Sequence, residues 1–108
     1  MIRTYRFQRR AEIDIQKAFL WYREQSLAAA RKWQQTIKAA VESLRTTADR
    51  HPLAAESTLL NVDIQELAVG KGNSTYRILY VKNDVLVTVI RLLHASRDEL
   101  TEFDLELP

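Results

Sequence analysis

Thr75-Tyr76-Arg77-Ile78-Leu79-Tyr80-Val81-Lys82 and Val85-Leu86-Val87-Thr88-Val89-Ile90-Arg91-Leu92-Leu93 are the two runs whose reading decides the fold. Both are rich in β-branched and aromatic residues, which suit strands. Asn83-Asp84 between them fits a two-residue hairpin turn. That turn sets Tyr76 opposite Arg91, Ile78 opposite Val89 and Tyr80 opposite Val87 on one face of the sheet. Arg77, Leu79, Val81, Leu86, Thr88, Ile90, Leu92 and His94 then share the other face. Both faces are largely apolar, and one layer of helices covers only one of them. The second face is expected to expose Leu79, Ile90 and Leu92 around Arg77, a patch that a partner or the chain's own C-terminus should cover.

Upstream of this hairpin the periodicity changes. Residues 2–8 alternate as a strand, with Ile2, Thr4 and Arg6 on one side and Arg3, Tyr5 and Phe7 on the other. Residues 10–25 carry Ala11, Ile15, Ala18, Phe19 and Tyr22 on one helical stripe, widened by Ile13, Leu20 and Trp21. Ser26 is placed to cap a second helix over residues 27–48, whose stripe is Ala30, Trp33, Ile37, Ala40, Val41 and Leu44. The short connection predicts an antiparallel helical hairpin. Arg50-His51-Pro52 ends it, because a residue before proline avoids helical geometry. Residues 53–60 read as a loop. Residues 61–69 read as a strand with a phase slip at Gln65-Glu66 that suggests a bulge. Gly70-Lys71-Gly72-Asn73 reads as a turn holding both glycines. The expected fold is one α+β domain over residues 1–108: an N-terminal strand, a helical hairpin, then a three-stranded antiparallel sheet.

A chain of 108 residues suits one core. The absence of cysteine excludes disulfides and thiolate metal sites. No apolar run approaches the roughly 20 residues of a membrane span, and no signal-peptide core opens the sequence, so a cytoplasmic protein is expected. The formal charge of +2 is a weak pointer to nucleic acid, and its distribution says more. Arg3, Arg6, Arg9 and Arg10 crowd one end. Asp98, Glu99, Glu102, Asp104 and Glu106 crowd the other, with no lysine or arginine after Arg97. Either end alone reads as solvated; together they allow a basic surface that meets an acidic partner or a phosphate backbone.

Motifs for common chemistries are missing. His51 and His94 are the only histidines, and neither stands in a metal-ligand spacing, so no metal or cofactor is expected. Gly70-Lys71-Gly72 lacks the length and following helix of a phosphate loop. Trp21, Tyr22 and Trp33 could stack on bases, but their helical spacing favours packing between the helices. What remains is Arg77, Arg91, His94 and Arg97, with Lys71 nearby. Such a group can stabilise charge on a phosphate in a cleavage reaction, or bind a phosphate backbone or acidic peptide without chemistry. On residue types alone, ordinary ion pairs and a strand-ending histidine are the favoured reading.

Over nearly its whole length the sequence resembles the RelE/ParE superfamily of bacterial type II toxins, and its ParE branch more closely. The resemblance rests on Ala11-Glu12-Ile13-Asp14-Ile15, Trp21, Ala28-Ala29-Ala30-Arg31-Lys32-Trp33 and the proline loop. It is strongest in Tyr76-Arg77-Ile78-Leu79-Tyr80-Val81 and in Ile90-Arg91-Leu92-Leu93-His94-Ala95-Ser96-Arg97-Asp98, which is similar to a ParE-type ending. Gln65 is a departure, since an arginine commonly precedes the Glu66-Leu67 pair. The resemblance implies a toxin neutralised by a cognate antitoxin, with a heterotetramer or higher toxin–antitoxin assembly among the forms allowed. ParE-like members inhibit DNA gyrase and have no agreed catalytic residues. RelE-like members cleave mRNA on the ribosome; here Arg77, His94 and Arg97 would be the catalytic set. Ala95 stands where those nucleases place an arginine, and the tail has Phe103 but no tyrosine, which favours the gyrase branch. Arg77, Leu79, Ile90, Arg91, Leu92, His94 and Arg97 are the residues expected to meet target or antitoxin. The alternatives are a RelE-like mRNA interferase and a degenerate module that only binds its antitoxin.

Overall fold

In a computed structural model, described over residues 2–96, the chain folds as β1 (Thr4–Phe7), α1 (Arg9–Gln25), α2 (Leu27–Thr47), α3 (Glu56–Leu60), β2 (Gln65–Val69), β3 (Tyr76–Lys82) and β4 (Leu86–His94). The strands form one sheet in the order β1-β4-β3-β2. The expected three antiparallel strands are β2, β3 and β4, and β1 joins them by pairing parallel to β4.

Ser26 alone makes the sharp reversal between the long helices. Its backbone is extended (φ −167°), its N–H donates to the Tyr22 carbonyl at 3.0 Å, and its hydroxyl accepts from the Ala29 N–H at 2.8 Å. One residue therefore ends α1 and caps α2. From α2, Trp33, Ile37, Val41 and Leu44 enter the main core against Tyr76, Ile78, Tyr80, Val87, Val89 and Leu92 of the sheet. Ile15, Ala18, Phe19 and Tyr22 of α1 close that core from the side.

Beyond α2 the chain is pinned by polar groups. The Gln65 amide donates to the carbonyls of Ala48 and His51 at 2.8 and 2.9 Å, and the Tyr80 hydroxyl donates to Ala48 O at 2.6 Å. Burial there raises the pKa of the Tyr80 hydroxyl, with the Asp49 charge adding to the effect. The residue that departs from the family pattern is thus an interior donor to the end of the helix, and the departure alters no exposed surface. Gln65→Leu should cost about 1–3 kcal/mol in urea denaturation, because it strips a donor from two inward-facing carbonyls. A loss below about 0.5 kcal/mol would show that water replaces the amide.

The hairpin departs from its expected register. Asn83 pairs with Leu86, its side chain accepting from the Val85 and Leu86 N–H groups, so the loop is Asp84-Val85. Tyr80 then lies opposite Val89, and a bulge places the extra residue Ile90 before Arg91 meets Leu79. From there Ile78 faces Leu92 and Tyr76 faces His94. Leu92 packs in the core under the helices and His94 faces Tyr76, opposite to the expected side. The bulge belongs to β4; β2 runs in regular register with β3 across Gln65 and Glu66.

The second face is covered. Residues 53–64, read as a loop running into a strand, contain α3 and fold across the sheet. Ala54, Leu60 and Ile64 pack on Leu79, Val81, Ile90 and Leu93. The Ser57 hydroxyl accepts from Ile64 N and donates to Ile64 O, both at 2.8 Å, closing the segment on itself. Leu53 bridges to Gln65, and Glu66 N donates to Pro52 O, so this segment also shields the outer edge of β2. Leu79 and Ile90 are fully buried and Leu92 nearly so; they are core residues, not the open patch expected.

Arg3 is likewise no solvated terminal cation. It is 8% exposed, donates to the Asn83 carbonyl at 2.8 Å and grips Asp49 with both terminal nitrogens. Lys82 joins the same carboxylate at 3.1 Å. The pair of hydrogen bonds from Arg3, then that from Lys82, hold Asp49 below the usual carboxylate range. This network ties β1, the end of α2 and the β3–β4 turn together.

Candidate functional site

The cations and histidine singled out in the sequence do not converge. Arg77 lies opposite Leu93, on the face that α3 covers, whereas His94 lies opposite Tyr76 beneath the helices. Arg97 lies outside the described residues.

Arg77 is held by two carboxylates. Its terminal nitrogens donate to both oxygens of Glu56 at 2.6 and 3.1 Å, and its Nε donates to Glu66 at 2.7 Å. Bidentate, charge-assisted pairing of this kind is strong and directional. Arg77 and Glu56 side chains are 20% and 10% exposed. Burial alone would raise the pKa of the Glu56 carboxyl, but the hydrogen bonds and charge of Arg77 outweigh it and the net shift is downward. The same bonds raise the pKa of Arg77. Its guanidinium is a strap between α3, β2 and β3.

Arg91 is fixed to α1. Asp14 accepts from its Nε at 2.7 Å and from a terminal nitrogen at 3.1 Å, and takes the Leu92 N–H at 3.0 Å. β1 pairs with β4 only as far as Val89, so Asp14 supplies the acceptor that a longer β1 would have given. Asp14→Ala should cost about 2–4 kcal/mol in thermal or urea unfolding, since it abandons both a largely buried guanidinium and a backbone donor. A loss equal to that of an exposed pair such as Glu42–Arg45 would contradict this.

His94 is 6% exposed. Its Nδ1 faces the Ser96 N–H at 3.2 Å and the Ser96 hydroxyl at 3.1 Å, which makes Nδ1 the acceptor and puts the proton on Nε2. The ring meets Tyr76 edge-on at 5.1 Å. Tyr22 and Trp33 stack at 5.5 Å inside the helical hairpin, as their spacing implied, while Trp21 remains 42% exposed beside them.

Sequence reasoning found the cations but missed their partners. Asp14, Glu56, Glu66 and Asp49 lie far from Arg91, Arg77 and Arg3 in the chain, and no local spacing signals such pairs. These pairings reshape the surface. Residues 2–96 hold fifteen lysines and arginines against nine carboxylates. Asp14, Glu42, Asp49, Glu56 and Glu66 are engaged with Arg91, Arg45, Arg3, Lys82 and Arg77. Ten other cations stand against Glu12, Glu24, Asp63 and Asp84, and seven of the ten lie on α1 and α2. The helical hairpin therefore carries the basic face. On α1 the side away from the core repeats Arg10, Ile13, Lys17 and Leu20, with Ile13 and Leu20 each more than a third exposed. A depression of about 200 Å³ runs between Arg10, Ile13, Asp14, Lys17 and Arg91. Among the described residues no helix is long and apolar enough to cross a membrane.

No curated protein matches the chain. The family model of the ParE toxin of the type II toxin–antitoxin system, parDE, matches residues 5–99, which takes in every strand and helix except the first residue of β1. The chain belongs to the ParE toxin family of type II toxin–antitoxin systems.

Proposed function

We propose that this toxin inhibits DNA gyrase in the cytoplasm by surface binding, without catalysis of its own, and is silenced by an antitoxin segment laid along the outer face of α1. The observation that carries this reading is the pairing of Arg77 with Glu56 and Glu66 and of Arg91 with Asp14. A nuclease needs cations aimed at the scissile phosphate and a proton-transfer group beside them. Here Arg77 and Arg91 are neutralised within the fold, and His94 lies across the sheet from Arg77. Inhibition by binding asks only for a shaped, charged exterior, which the helical hairpin offers. Arg97 remains a candidate contact to the target.

The test is a cleavage assay with purified chain, gyrase, supercoiled plasmid and ATP, scored for linear DNA after protein removal. Linear DNA that requires both proteins is expected, together with its loss when the antitoxin is added first. No linear DNA, with codon-boundary cleavage of mRNA on ribosomes instead, would replace this reading with an mRNA interferase. Neither activity, with intact antitoxin binding, would leave an antitoxin-binding module.

A further inference from the structure

A cleft of about 510 Å³ opens where the end of α1 meets the end of β4. Trp21, Tyr22 and Gln25 line it from α1, Asn73 and Ser74 from the turn before β3, and His94 and Ser96 from the other side. Its size lies in the range of small-molecule sites. Its lining is aromatic and amide-bearing, with hydroxyls and a histidine held as the Nε2–H tautomer, and contains no carboxylate, lysine or arginine. The aromatic wall is braced: Trp21 meets Tyr22 edge-on at 4.9 Å, and Tyr22 stacks on the buried Trp33. Tyr22 is therefore part of the core, while Trp21 offers a large exposed ring on a rigid support.

We propose that this cleft binds an unpaired nucleobase, stacked on Trp21 and read along its edge by Gln25 and Asn73. The lining decides the ligand class. A phosphate or carboxylate would find no cation there. An apolar side chain would strip water from five hydrogen-bonding side chains and return nothing to them. A flat, neutral group with donors and acceptors around its rim satisfies both the ring and the amides, and base–aromatic stacking is the usual device for holding single strands. Arg23 and Lys71, two residues from Gln25 and Asn73 in the chain, are placed to follow the attached phosphates. The proposal goes beyond gyrase inhibition and needs neither gyrase nor antitoxin to be tested.

The experiment is an amide and indole NMR titration of the full chain with deoxyadenosine and thymidine pentanucleotides, against inorganic phosphate at equal ionic strength. The Trp21 indole N–H and the Gln25 and Asn73 side-chain amides should shift together while the Trp33 indole stays still. Trp21→Ala should weaken binding about tenfold or more, the usual loss for a base stack. Asn73→Ala, on an exposed turn, should weaken it several-fold with the fold intact. Equal shifts with phosphate alone, shifts confined to the cations of α1 and α2, or unchanged affinity in both variants would overturn the proposal. So would N-acetylphenylalaninamide moving Trp21 where the oligonucleotides do not, which would assign the cleft to a protein side chain.

Discussion

Replacing Arg77 with alanine should release residues 53–64 from the sheet and cost about 2–4 kcal/mol of folding stability. The variant removes three charge-assisted hydrogen bonds and leaves the Glu56 carboxylate, 9% exposed, without its cation. Breaking a buried pair from one side costs about 3–5 kcal/mol; the partial exposure of both partners lowers that figure through solvent screening. The damage should be local first. Glu56 anchors α3, and α3 with Ala54 and Ile64 covers Leu79, Ile90 and Leu93. Limited proteolysis should therefore cut between 53 and 64 in the variant well before the wild type, while the core under α1 and α2 stays protected. A second variant separates charge from packing. Glu56→Leu with Arg77→Met removes both members of the main pair, and should recover most of the lost stability. If Arg77→Ala unfolds within about 0.5 kcal/mol of wild type, the strap contributes nothing, and Arg77 returns as an exposed determinant of toxicity.

The same strap sets an acid limit. Arg77 holds the folded pKa of Glu56 below its ordinary value. A depressed carboxylate contributes stability that is fully present above the unfolded pKa, about 4.3 for glutamate, and is lost as pH falls through the folded value. Stability should thus decline below about pH 4.5, and the decline should be shallower in the double variant, which lacks the titrating pair.

How far the chain could be read depends on where its information is local. α2 was legible because Ala30, Trp33, Ile37, Val41 and Leu44 recur at helical spacing and Ser26 caps them. The β3–β4 hairpin was legible as two strands but not in its register. Val85 sits in the turn as an exposed apolar residue, and it reads like the start of a strand. The bulge at Ile90 was hidden for a related reason. With apolar residues on both faces, a one-residue slip of Ile90, Leu92 and Leu93 leaves the hydrophobic pattern unchanged, so nothing in the sequence penalises it. α3 is five residues held by Arg77 and by the Ser57–Ile64 contacts, and it has no periodicity of its own. The site suffered most. Residue type marks a cation, but only the fold shows that Glu56 or Asp14 has already claimed it.

Leu20→Asp should weaken antitoxin binding by about 30-fold or more while changing folding stability by less than about 1 kcal/mol. The inner side of α1 is already occupied: Ala11, Ile15, Ala18, Phe19 and Tyr22 face the core. Ile13 and Leu20 are two turns apart on the opposite side, where solvent is the alternative to a partner. Arg10 and Lys17 fall on the same stripe, so the side presents cation, apolar, cation, apolar in order. A partner with acidic and apolar residues in alternating turns complements both properties, which is why this face is assigned to the antitoxin. Truncating a central anchor of such an interface commonly costs about 2–4 kcal/mol, whereas an exposed helix position tolerates aspartate at well under 1 kcal/mol. Lys17→Glu should act differently, slowing association and reducing its dependence on salt. The comparison that decides the matter is Gln34→Asp, the same charge change on the exposed side of α2. If it weakens the antitoxin as much as Leu20→Asp, only net charge is being read, and the docking face is not on α1.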